Sequence, residues 1–340
     1  MKSNLNGEEC TVLIVNLQGE TSCKKIIALF LSLSLVFAVG CGSTSTTSIR
    51  FGSAAVGGMY SAFANAYTQV VAQDDDSLQF SVRATAGSAA NIRLLSDGYI
   101  QMAIAQADLT DDAYHGTGDF NKKPLHGYSA VAALYTEACQ IVVRADSDIH
   151  SVDDLLGKKI SIGEEESGTE RNAKQILEAY GLSDELVDCE NLDYTQAAEA
   201  LVSEKIDAMF CTAGVQTTVI EELTRQRGIR LLSLDETHIQ KLMAAYDFYT
   251  PYTIPVYTYS GQSEEATTVG VQSLLLVSDE LSDKTVETLT EQLFSRKQDI
   301  QYSLPLDLQL DETSATENVT IPFHDGAAAY YEKHGITVNE

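Results

Sequence analysis

The sequence predicts an α/β protein with two lobes and a ligand-binding cleft between them. Its 340 residues are enough for one large domain or two ordinary domains, each with its own core. Beyond residue 48, short apolar strands alternate with segments of helical periodicity, an order typical of mostly parallel sheets. Two strand segments, near Gln140 and near Val269, are placed to cross between the lobes. Because ligands bind at the carboxyl ends of the strands in open α/β sheets, the cleft is the expected site.

The first lobe is predicted to begin with three strands and two helices. A helix over 59–71 follows the strand "IRFGSA", because Phe63, Tyr67 and Val70 recur on one face. The strand "QFSVRAT" leads into a second helix that ends at Gly98, where glycine favours a left-handed cap. Alternating apolar residues in "IQMAIAQAD" predict the third strand.

The second lobe is predicted to repeat this order. Its elements are the strand "KKISIG", a helix over 169–180, the strand "DCENLDY", the helix "TQAAEALVSEKI" and the strand "DAMFCTAG". A further helix and strand, "TTVIEELTRQRG" and "IRLLSLD", precede a Tyr-rich stretch and the strand "VGVQSLLLVS". One long helix, "SDKTVETLTEQLFSRKQDI", is expected near the end, because Val286, Leu289, Leu293 and Ile300 stack on one face.

The chain is strongly acidic, which narrows the classes of partner. It has 22 Lys and Arg against 49 Asp and Glu, a formal net charge of −27. Nucleic-acid binding needs clustered basic side chains, so the composition disfavours that function. The same charge disfavours electrostatic adhesion to anionic lipid.

The N-terminal region predicts secretion and lipidation. Lys24-Lys25 precede an apolar run of 14 residues, a length typical of a secretory signal. The segment Ala38-Val39-Gly40-Cys41 resembles a bacterial lipobox, so residues 1–40 are expected to be a leader and lipoprotein signal peptide, with Cys41 lipidated. Residues 1–23 carry glutamates where a signal is basic and are expected to be a start-site artefact, and residues 41–48 a flexible tether. The alternative is ordinary secretion with cleavage nearby.

Signatures of catalysis and of metal binding are absent from the sequence. Cys139, Cys189 and Cys211 have neither a disulfide framework nor zinc-site spacing, and Cys211 lies in an apolar strand pattern that predicts a core residue. There is no Walker loop with lysine, no HExxH and no GxSxG. We therefore expect no enzyme activity, no catalytic residue, no metal and no cofactor.

Three loops share one design, in which a strand ends in small residues and a helix begins. They are residues 56–60, 85–91 and 167–172. Each offers unpaired helix N–H groups together with small or polar side chains, and such helix ends attract anions. For the third loop the alternative is a simple helix cap formed by Ser167 and Glu170. Three such loops in one chain favour a ligand held between opposed helix ends.

The order of short motifs resembles the TAXI family, the solute receptors of TRAP-type transporters. The matching segments run from about Ile49 to Gly335 and are "GGMY", "ATAGSAANIRLL", "AIAQADLTDDAY", "VRADSDIHSVDDLLGKKISIG", "SGTERNA", "DAMFCTAGV", "TIPVYTY" and "PFHDGAAAYY". The resemblance implies a periplasmic-binding-protein fold of the second type, with residues 49–139 and 256–340 forming lobe I and residues 140–255 forming lobe II.

The family resemblance also implies a function, a location and partners. The protein is expected to be a lipid-anchored receptor on the outer face of the bacterial cytoplasmic membrane. It would capture a small carboxylate such as glutamate, glutamine or a 2-oxo or dicarboxylic acid and deliver it to a fused TRAP permease for ion-gradient-driven uptake. The alternatives are the binding protein of an ATP-driven importer, or a two-lobed sensor or enzyme.

Carried over by motif, the residues expected to line the cleft come from both lobes, with Tyr135 at the hinge. They are Gly58, Met59, Tyr60, Ser88, Asn91, Gln106, Asp108, Tyr135, Ser167, Gly168, Thr169, Asn172, Thr212, Ala213, Gly214 and Tyr257. Two features depart from the family pattern: the run Glu164–Glu166 before the "SGT" motif, and Gln216 where proline is common. The glutamates are expected to point outward or toward the cationic end of a zwitterionic ligand.

Overall fold

The computed structural model describes residues 46–183, 185–306, 308 and 310–339. The predicted leader, the lipidation site Cys41 and most of the predicted tether lie outside the described residues. Strand β1 begins at Thr47, so it includes the last two residues of that tether.

Strands and helices alternate along most of the chain. The strands are β1 (Thr47–Gly52), β2 (Leu78–Arg83), β3 (Met102–Gln106), β4 (Tyr128–Arg144), β5 (Lys159–Ser161), β6 (Asp188–Glu190), β7 (Ala208–Ala213), β8 (Ile229–Leu231), β9 (Thr250–Ile254) and β10 (Ala266–Ser278). The α-helices are α1 (Met59–Asp74), α2 (Ser88–Ser96), α3 (Ala107–His115), α4 (Gly168–Ala179), α5 (Tyr194–Val202), α6 (Thr218–Gln226), α7 (Glu236–Ala245), α8 (Asp283–Ser295), α9 (Lys297–Tyr302) and α10 (Asp325–Lys333).

Within the described part of the chain, ten strands form one mixed sheet in the order β2-β1-β3-β10-β4-β7-β5-β6, with β8 paired to β4 and β9 to β10. The pairs at the two ends of this order, β1–β2, β1–β3, β5–β6 and β5–β7, are parallel. The long strands β4 and β10 pair with their neighbours and with each other in antiparallel fashion. The expectation of mostly parallel sheets therefore holds only for the outer strands.

The buried residues form separate hydrophobic cores on the two sides of the crossing strands. One core contains Ile49 to Tyr135 and Leu274 to Tyr331, and the others contain residues between Cys139 and Val271. Strands β4 and β10 contribute to cores on both sides, as the sequence predicts for the segments near Gln140 and Val269. By this packing, the chain returns from lobe II to lobe I within β10, beyond Val271. The sequence predicts that lobe II ends at residue 255.

A β-bulge lies where the paired strands β4 and β10 pass from one lobe to the other. The pairing of β10 with β4 shifts between Gln272 and Leu274, and Ser273 lies in the gap. The Ser273 hydroxyl donates to the Tyr135 carbonyl at 2.8 Å and accepts from the Tyr135 N–H at 3.3 Å. Bulges of this kind bend a strand and redirect its side chains, and this one lies two residues from Glu137.

The long helix that the sequence predicts near the end of the chain is divided into α8 and α9. The prediction of a single helix is wrong, because α8 ends at Ser295 and α9 begins at Lys297. Arg296 between them leaves helical geometry and forms ion pairs with Asp74 and Asp299. Ile300 is nevertheless buried, as its periodicity predicts. The Tyr-rich stretch also holds a strand, β9, that the periodicity did not indicate.

Three cysteines belong to the described residues, and none of them forms a disulfide. Cys211 is buried in a hydrophobic core, as predicted. No helix among the described residues combines the length and the apolar character needed to cross a membrane.

Candidate functional site

A pocket lies between the two lobes, where strand ends and helix beginnings from both lobes meet. It encloses about 450 Å³, including space open to solvent. Its lining residues are Ala54, Ala55, Gly58, Met59, Tyr60, Ala86, Gly87, Ser88, Gln106, Glu137, Glu164, Ser167, Gly168, Thr169, Asp193, Tyr194, Thr212 and Ala213. The three loops singled out in the sequence therefore converge on one space, together with the beginning of α5.

The beginnings of α1 and α4 leave backbone N–H groups available to a ligand. Gly58, the N-cap of α1, has no side chain to cap the helix, and the N–H groups of Met59 and Tyr60 have no hydrogen-bond partner among the described residues. The N–H groups of Gly168 and Thr169 are likewise unpartnered there. Helix ends of this kind carry partial positive charge and bind anions such as carboxylates. These two ends are the part of the pocket suited to a negative group.

Two glycines allow the walls of the pocket to approach closely. A Cβ at position 168 would lie 2.4 Å from atoms of the Gln106 amide, and a Cβ at position 58 would lie 3.1 Å from the Tyr194 ring. The first distance is shorter than real Cβ contacts allow, and the second is tight. Any larger residue at position 168 would displace the Gln106 amide and its hydrogen bond to Asn172.

Ten of the predicted site residues line the pocket. They are Gly58, Met59, Tyr60, Ser88, Gln106, Ser167, Gly168, Thr169, Thr212 and Ala213. Six others, Asn91, Asp108, Tyr135, Asn172, Gly214 and Tyr257, are not among its lining residues.

The two predicted asparagines hold the framework of the site. Asn91 accepts a hydrogen bond from the Thr85 hydroxyl at 2.7 Å and donates to the Ile104 carbonyl at 2.9 Å. Asn172 accepts from the Gln106 amide at 2.9 Å and donates to the Tyr249 hydroxyl at 2.8 Å. Both side chains are fully buried. Asn91 ties α2 to the strand ends, and Asn172 ties α4 to Gln106 across the cleft.

The other predicted residues outside the pocket differ in their surroundings. Tyr135 is buried beside Gly214, where a Cβ would come within 3.3 Å of the Tyr135 ring and 3.2 Å of Met59. Both therefore pack behind the pocket wall. Tyr257 is 78% exposed and does not line the pocket.

The hydroxyls of the "SGT" motif are engaged within the protein. Ser167 accepts from the N–H of Glu170 at 3.0 Å, so the helix-cap alternative describes its side chain. Thr169 shares a 2.7 Å hydrogen bond with the Tyr194 hydroxyl and accepts from the N–H of Thr212 at 3.2 Å. This motif therefore leaves its backbone N–H groups, rather than its hydroxyls, available to a ligand.

Two functional candidates were missed by reading the sequence. Tyr194 closes one wall, and its hydroxyl donates to the Thr212 carbonyl at 2.9 Å. Glu137 lies on β4 and is 3% exposed, with one carboxylate oxygen accepting from the Tyr60 hydroxyl at 2.7 Å. The signal for Glu137 was present in "ALYTEACQIVV", where it is the single charged residue in an apolar strand. Buried carboxylates are rare without a partner of opposite charge.

Burial raises the pKa of Glu137 to about 8, because the charged form loses its hydration. Hydrogen bonds from Tyr60 and Gln106 act against this shift, and the nearby Asp108 adds to it. Burial also raises the pKa of Tyr60 well above its usual value, and the Glu137 carboxylate adds to that shift. The pair is therefore neutral near pH 7 unless something positive enters the pocket.

The pocket contains acidic side chains and no basic ones. Glu137, Glu164 and Asp193 line it, and no Lys, Arg or His is among the lining residues. Burial, with Asp193 nearby, also raises the pKa of Glu164. The rest of the glutamate run points elsewhere, since Glu165 is exposed and the Glu166 carboxylate pairs with Arg93 at 3.0 Å.

Polar contacts join the two sides of the cleft and hold it closed. The N–H groups of Ala89 and Ala90 donate to the Glu166 carbonyl at 3.1 and 3.3 Å. Arg171 on α4 is surrounded by Asp108, Asp112 and Asp119, with 3.0 Å from its Nε to the nearer Asp108 oxygen. Asp108 thus belongs to this interlobe ion-pair cluster rather than to the pocket. Despite Arg171, burial raises the pKa of Asp108.

One protein family matches nearly all of the described chain. Residues 51–335 match the model of the NMT1-like family. The chain belongs to the NMT1-like family. That match spans both lobes and every lining residue of the pocket.

Solved structures share the fold of this NMT1-like protein at low sequence identity. A protein from Bordetella bronchiseptica RB50 is 15% identical, with 87% of this chain and 84% of that chain covered and a TM-score of 0.51. The alkanesulfonate-binding protein of Xanthomonas axonopodis pv. citri, bound to MOPS, is 15% identical over 75% and 77% of the two chains, with a TM-score of 0.47. A putative L-cystine ABC transporter protein of Listeria monocytogenes is 12% identical over 76% and 94%, with a TM-score of 0.49. The predicted fold, the two-lobed periplasmic-binding-protein fold of the second type, is confirmed.

The buried state of Glu137 predicts how stability of the ligand-free protein depends on pH. The pKa is raised in the folded protein, so the folded form holds the proton between the ordinary glutamate pKa and about 8. The cost of burying Glu137 is absent at low pH, grows as the pH rises through that window and is constant above it. Glu137→Gln removes this cost. The melting temperature of the variant minus that of wild type should therefore be a few degrees larger at pH 8 than at pH 5.

Thermal unfolding at both pH values, without added solute, tests this prediction. Glu165→Gln is the matched control, because Glu165 is exposed, and its melting temperature should follow wild type at both pH values. An equal difference between Glu137→Gln and wild type at pH 5 and pH 8 would contradict a raised pKa at Glu137.

Arg171 is predicted to stabilise the closed cleft. Removing it leaves Asp108 and Asp112 near one another without their shared cation, which is costly for largely buried carboxylates. Arg171→Gln should therefore favour an open form and weaken the affinity for any bound solute by about tenfold or more.

X-ray scattering and titration calorimetry of the same preparations test this role. Arg225→Gln is the matched control, because its 4.0 Å pair with Glu221 is exposed and such pairs contribute little. An unchanged radius of gyration and affinity in Arg171→Gln would show that the ion-pair cluster does not control closure.

Proposed function

We propose that this NMT1-like protein is an extracytoplasmic solute-binding receptor that captures a small carboxylate-bearing solute and delivers it to a membrane importer. The observation that carries the proposal is the pocket between the lobes, where the unpartnered N–H groups of α1 and α4 face one space. Opposed helix ends bind the carboxylate without a basic side chain, and the two lobes close around the solute. The protein binds and releases the solute without chemical change.

The proposed location is the outer face of the cytoplasmic membrane. It is supported by the apolar run of 14 residues after Lys24-Lys25 and by the lipobox-like segment that ends in Cys41. With Cys41 lipidated, the receptor remains beside the importer that it serves. Two or three acyl chains are needed for stable anchoring, as one chain binds reversibly.

Two classes of importer compete as the partner. The similar structures described above include a putative ABC transporter protein and an alkanesulfonate-binding protein, and neither of them is named as a TRAP receptor. The alternative of an ATP-driven importer is therefore the better supported. The TRAP-TAXI assignment, with ion-gradient-driven uptake, rests on the order of sequence motifs from Ile49 to Gly335. A two-lobed enzyme or sensor is the remaining competitor.

Binding without turnover is the first expected result. The purified protein is screened by thermal shift against amino acids, 2-oxo acids, dicarboxylates, sulfonates and sugars. A bound solute at a hundredfold excess over Kd stabilises the protein by about 2.7 kcal/mol through mass action. Mass spectrometry should find the solute unchanged after prolonged incubation. A screen in which no small solute binds, or one in which the solute is converted, would contradict the receptor proposal.

Uptake in cells distinguishes the importer classes. Transport of the solute found in the screen is measured in cells with and without a protonophore or sodium, and with ATP depleted while the gradient is maintained. An ABC importer stops when ATP is removed and tolerates loss of the gradient, and a TRAP transporter does the reverse. Uptake that is unaffected by deleting the receptor would overturn its role in either class.

A further inference from the structure

Glu137 is a buried carboxylate in the pocket wall, and the described residues provide no cation beside it. Its side chain accepts from the Tyr60 hydroxyl at 2.7 Å and is 3% exposed. Arg171 lies between the lobes but pairs with Asp108, Asp112 and Asp119 outside the pocket. A buried carboxylate of this kind must hold a proton or receive a positive group from the solute.

Two further acceptor atoms in the pocket have no hydrogen-bond partner among the described residues. They are the Gln106 side-chain oxygen and the Thr212 hydroxyl oxygen, on residues that are 1% and 4% exposed. Both residues line the pocket together with Glu137. An ammonium group has three donors and no acceptor, so it can satisfy a carboxylate and two neutral oxygens together. A second carboxylate on the solute would lie against the Gln106 side-chain oxygen, an acceptor, and would be repelled by Glu137 whenever that side chain is ionised.

The opposite requirement holds at the helix ends. The N–H groups of Met59, Tyr60, Gly168 and Thr169 are donors without partners in the described chain, and they suit a carboxylate. The pocket thus offers donors at the helix ends and acceptors around Glu137. This arrangement matches a small solute with a carboxylate and an ammonium group close together.

We propose that Glu137 determines which solutes the pocket accepts, by receiving the ammonium group of an amino-acid-like solute and excluding 2-oxo acids and dicarboxylates. The inference rests on the proposed receptor function and narrows its solute class. No bond is made or broken within the solute: its ammonium replaces the proton that Glu137 holds in the ligand-free protein, and that proton leaves to solvent. Capture is therefore coupled to proton release.

The titratable groups around Glu137 lie on five elements. They are Tyr60 on α1, Asp108 on α3, Tyr135 and Cys139 on β4, Tyr194 on α5 and Cys211 on β7. Burial raises the pKa of each of them, so these tyrosines and cysteines are neutral below pH 8. Burial also raises the pKa of Asp108 and of Glu164, which lines the pocket. Glu137, whose pKa is raised to about 8, is the group to which we assign the change in protonation between pH 6 and 8.

The test compares solutes that differ only in the ammonium group. The twenty amino acids and simple amines such as putrescine are screened by calorimetry, and the best-binding amino acid is compared with the 2-hydroxy acid of the same carbon skeleton. The amino acid should bind at least tenfold more tightly than its 2-hydroxy counterpart, because a hydrogen bond to a charged group is lost. If 2-oxo acids, dicarboxylates or sulfonates bind and amino acids and amines do not, Glu137 has a different role while the receptor function stands. If no solute binds, both proposals fail.

Glu137→Gln separates recognition from structural support. The variant should bind the amino acid at least tenfold more weakly than wild type does. It should bind the 2-hydroxy acid as well as wild type or better, because the amide needs no cation. Glu165→Gln is the matched control and should leave both affinities within about threefold. Equal losses for the two solutes, or no loss for either, would overturn the proposal.

A measurement on the wild-type protein keeps the proposal testable if Glu137→Gln does not fold. The proton on Glu137 competes with the ammonium, so the affinity for the amino acid should rise about tenfold per pH unit between pH 6 and 7.5 and level off above pH 8. The affinity for the 2-hydroxy acid should stay constant or fall over the same range. Parallel pH profiles for the two solutes would contradict a role for Glu137 in receiving the ammonium.

Discussion

The hydrogen bond between Tyr60 and Glu137 joins the first helix of lobe I to the strand that crosses into lobe II. Glu137 lies on the part of β4 that pairs with β10 where both strands pass from one lobe to the other, and its side chain also lines the pocket. A carboxylate at this depth cannot remain charged without a positive partner, and the described part of the chain provides none beside it. The chemistry of the pocket therefore depends on what neutralises Glu137, either a proton or part of a solute.

Recognition and closure use different parts of the cleft. The anionic end of a solute is matched by backbone N–H groups at α1 and α4, so no basic side chain is needed in the pocket. The arginine that does lie between the lobes, Arg171, is engaged with aspartates outside the pocket. This separation leaves the pocket acidic and allows Glu137 to act on the solute alone. The formal net charge of −27 is compatible with the proposed carboxylate binding, since distant charges are screened over roughly 8 Å.

The sequence predicted the parts of this site that arise from local patterns. Small residues between a strand and a helix predicted where α1, α2 and α4 begin. Ten of the motif-derived residues line the pocket. It did not predict Glu137, because its position depends on the bulge opposite Tyr135 and on pairing between strands far apart in the chain. The same holds for the break at Arg296, which pairs with Asp74 more than two hundred residues away. The motif-derived Asn91 and Asn172 do not line the pocket, and their side chains form hydrogen bonds within the framework.

Proton release on binding tests the central claim most directly. Titration calorimetry at pH 7 in two buffers of different ionisation enthalpy counts the protons exchanged when the best-binding amino acid enters the pocket. A carboxyl group with a pKa of about 8 is roughly 90% protonated at that pH, so close to one proton should be released per solute bound. Glu137→Gln should release none. Binding of the amino acid to the wild-type protein without proton release would contradict the account.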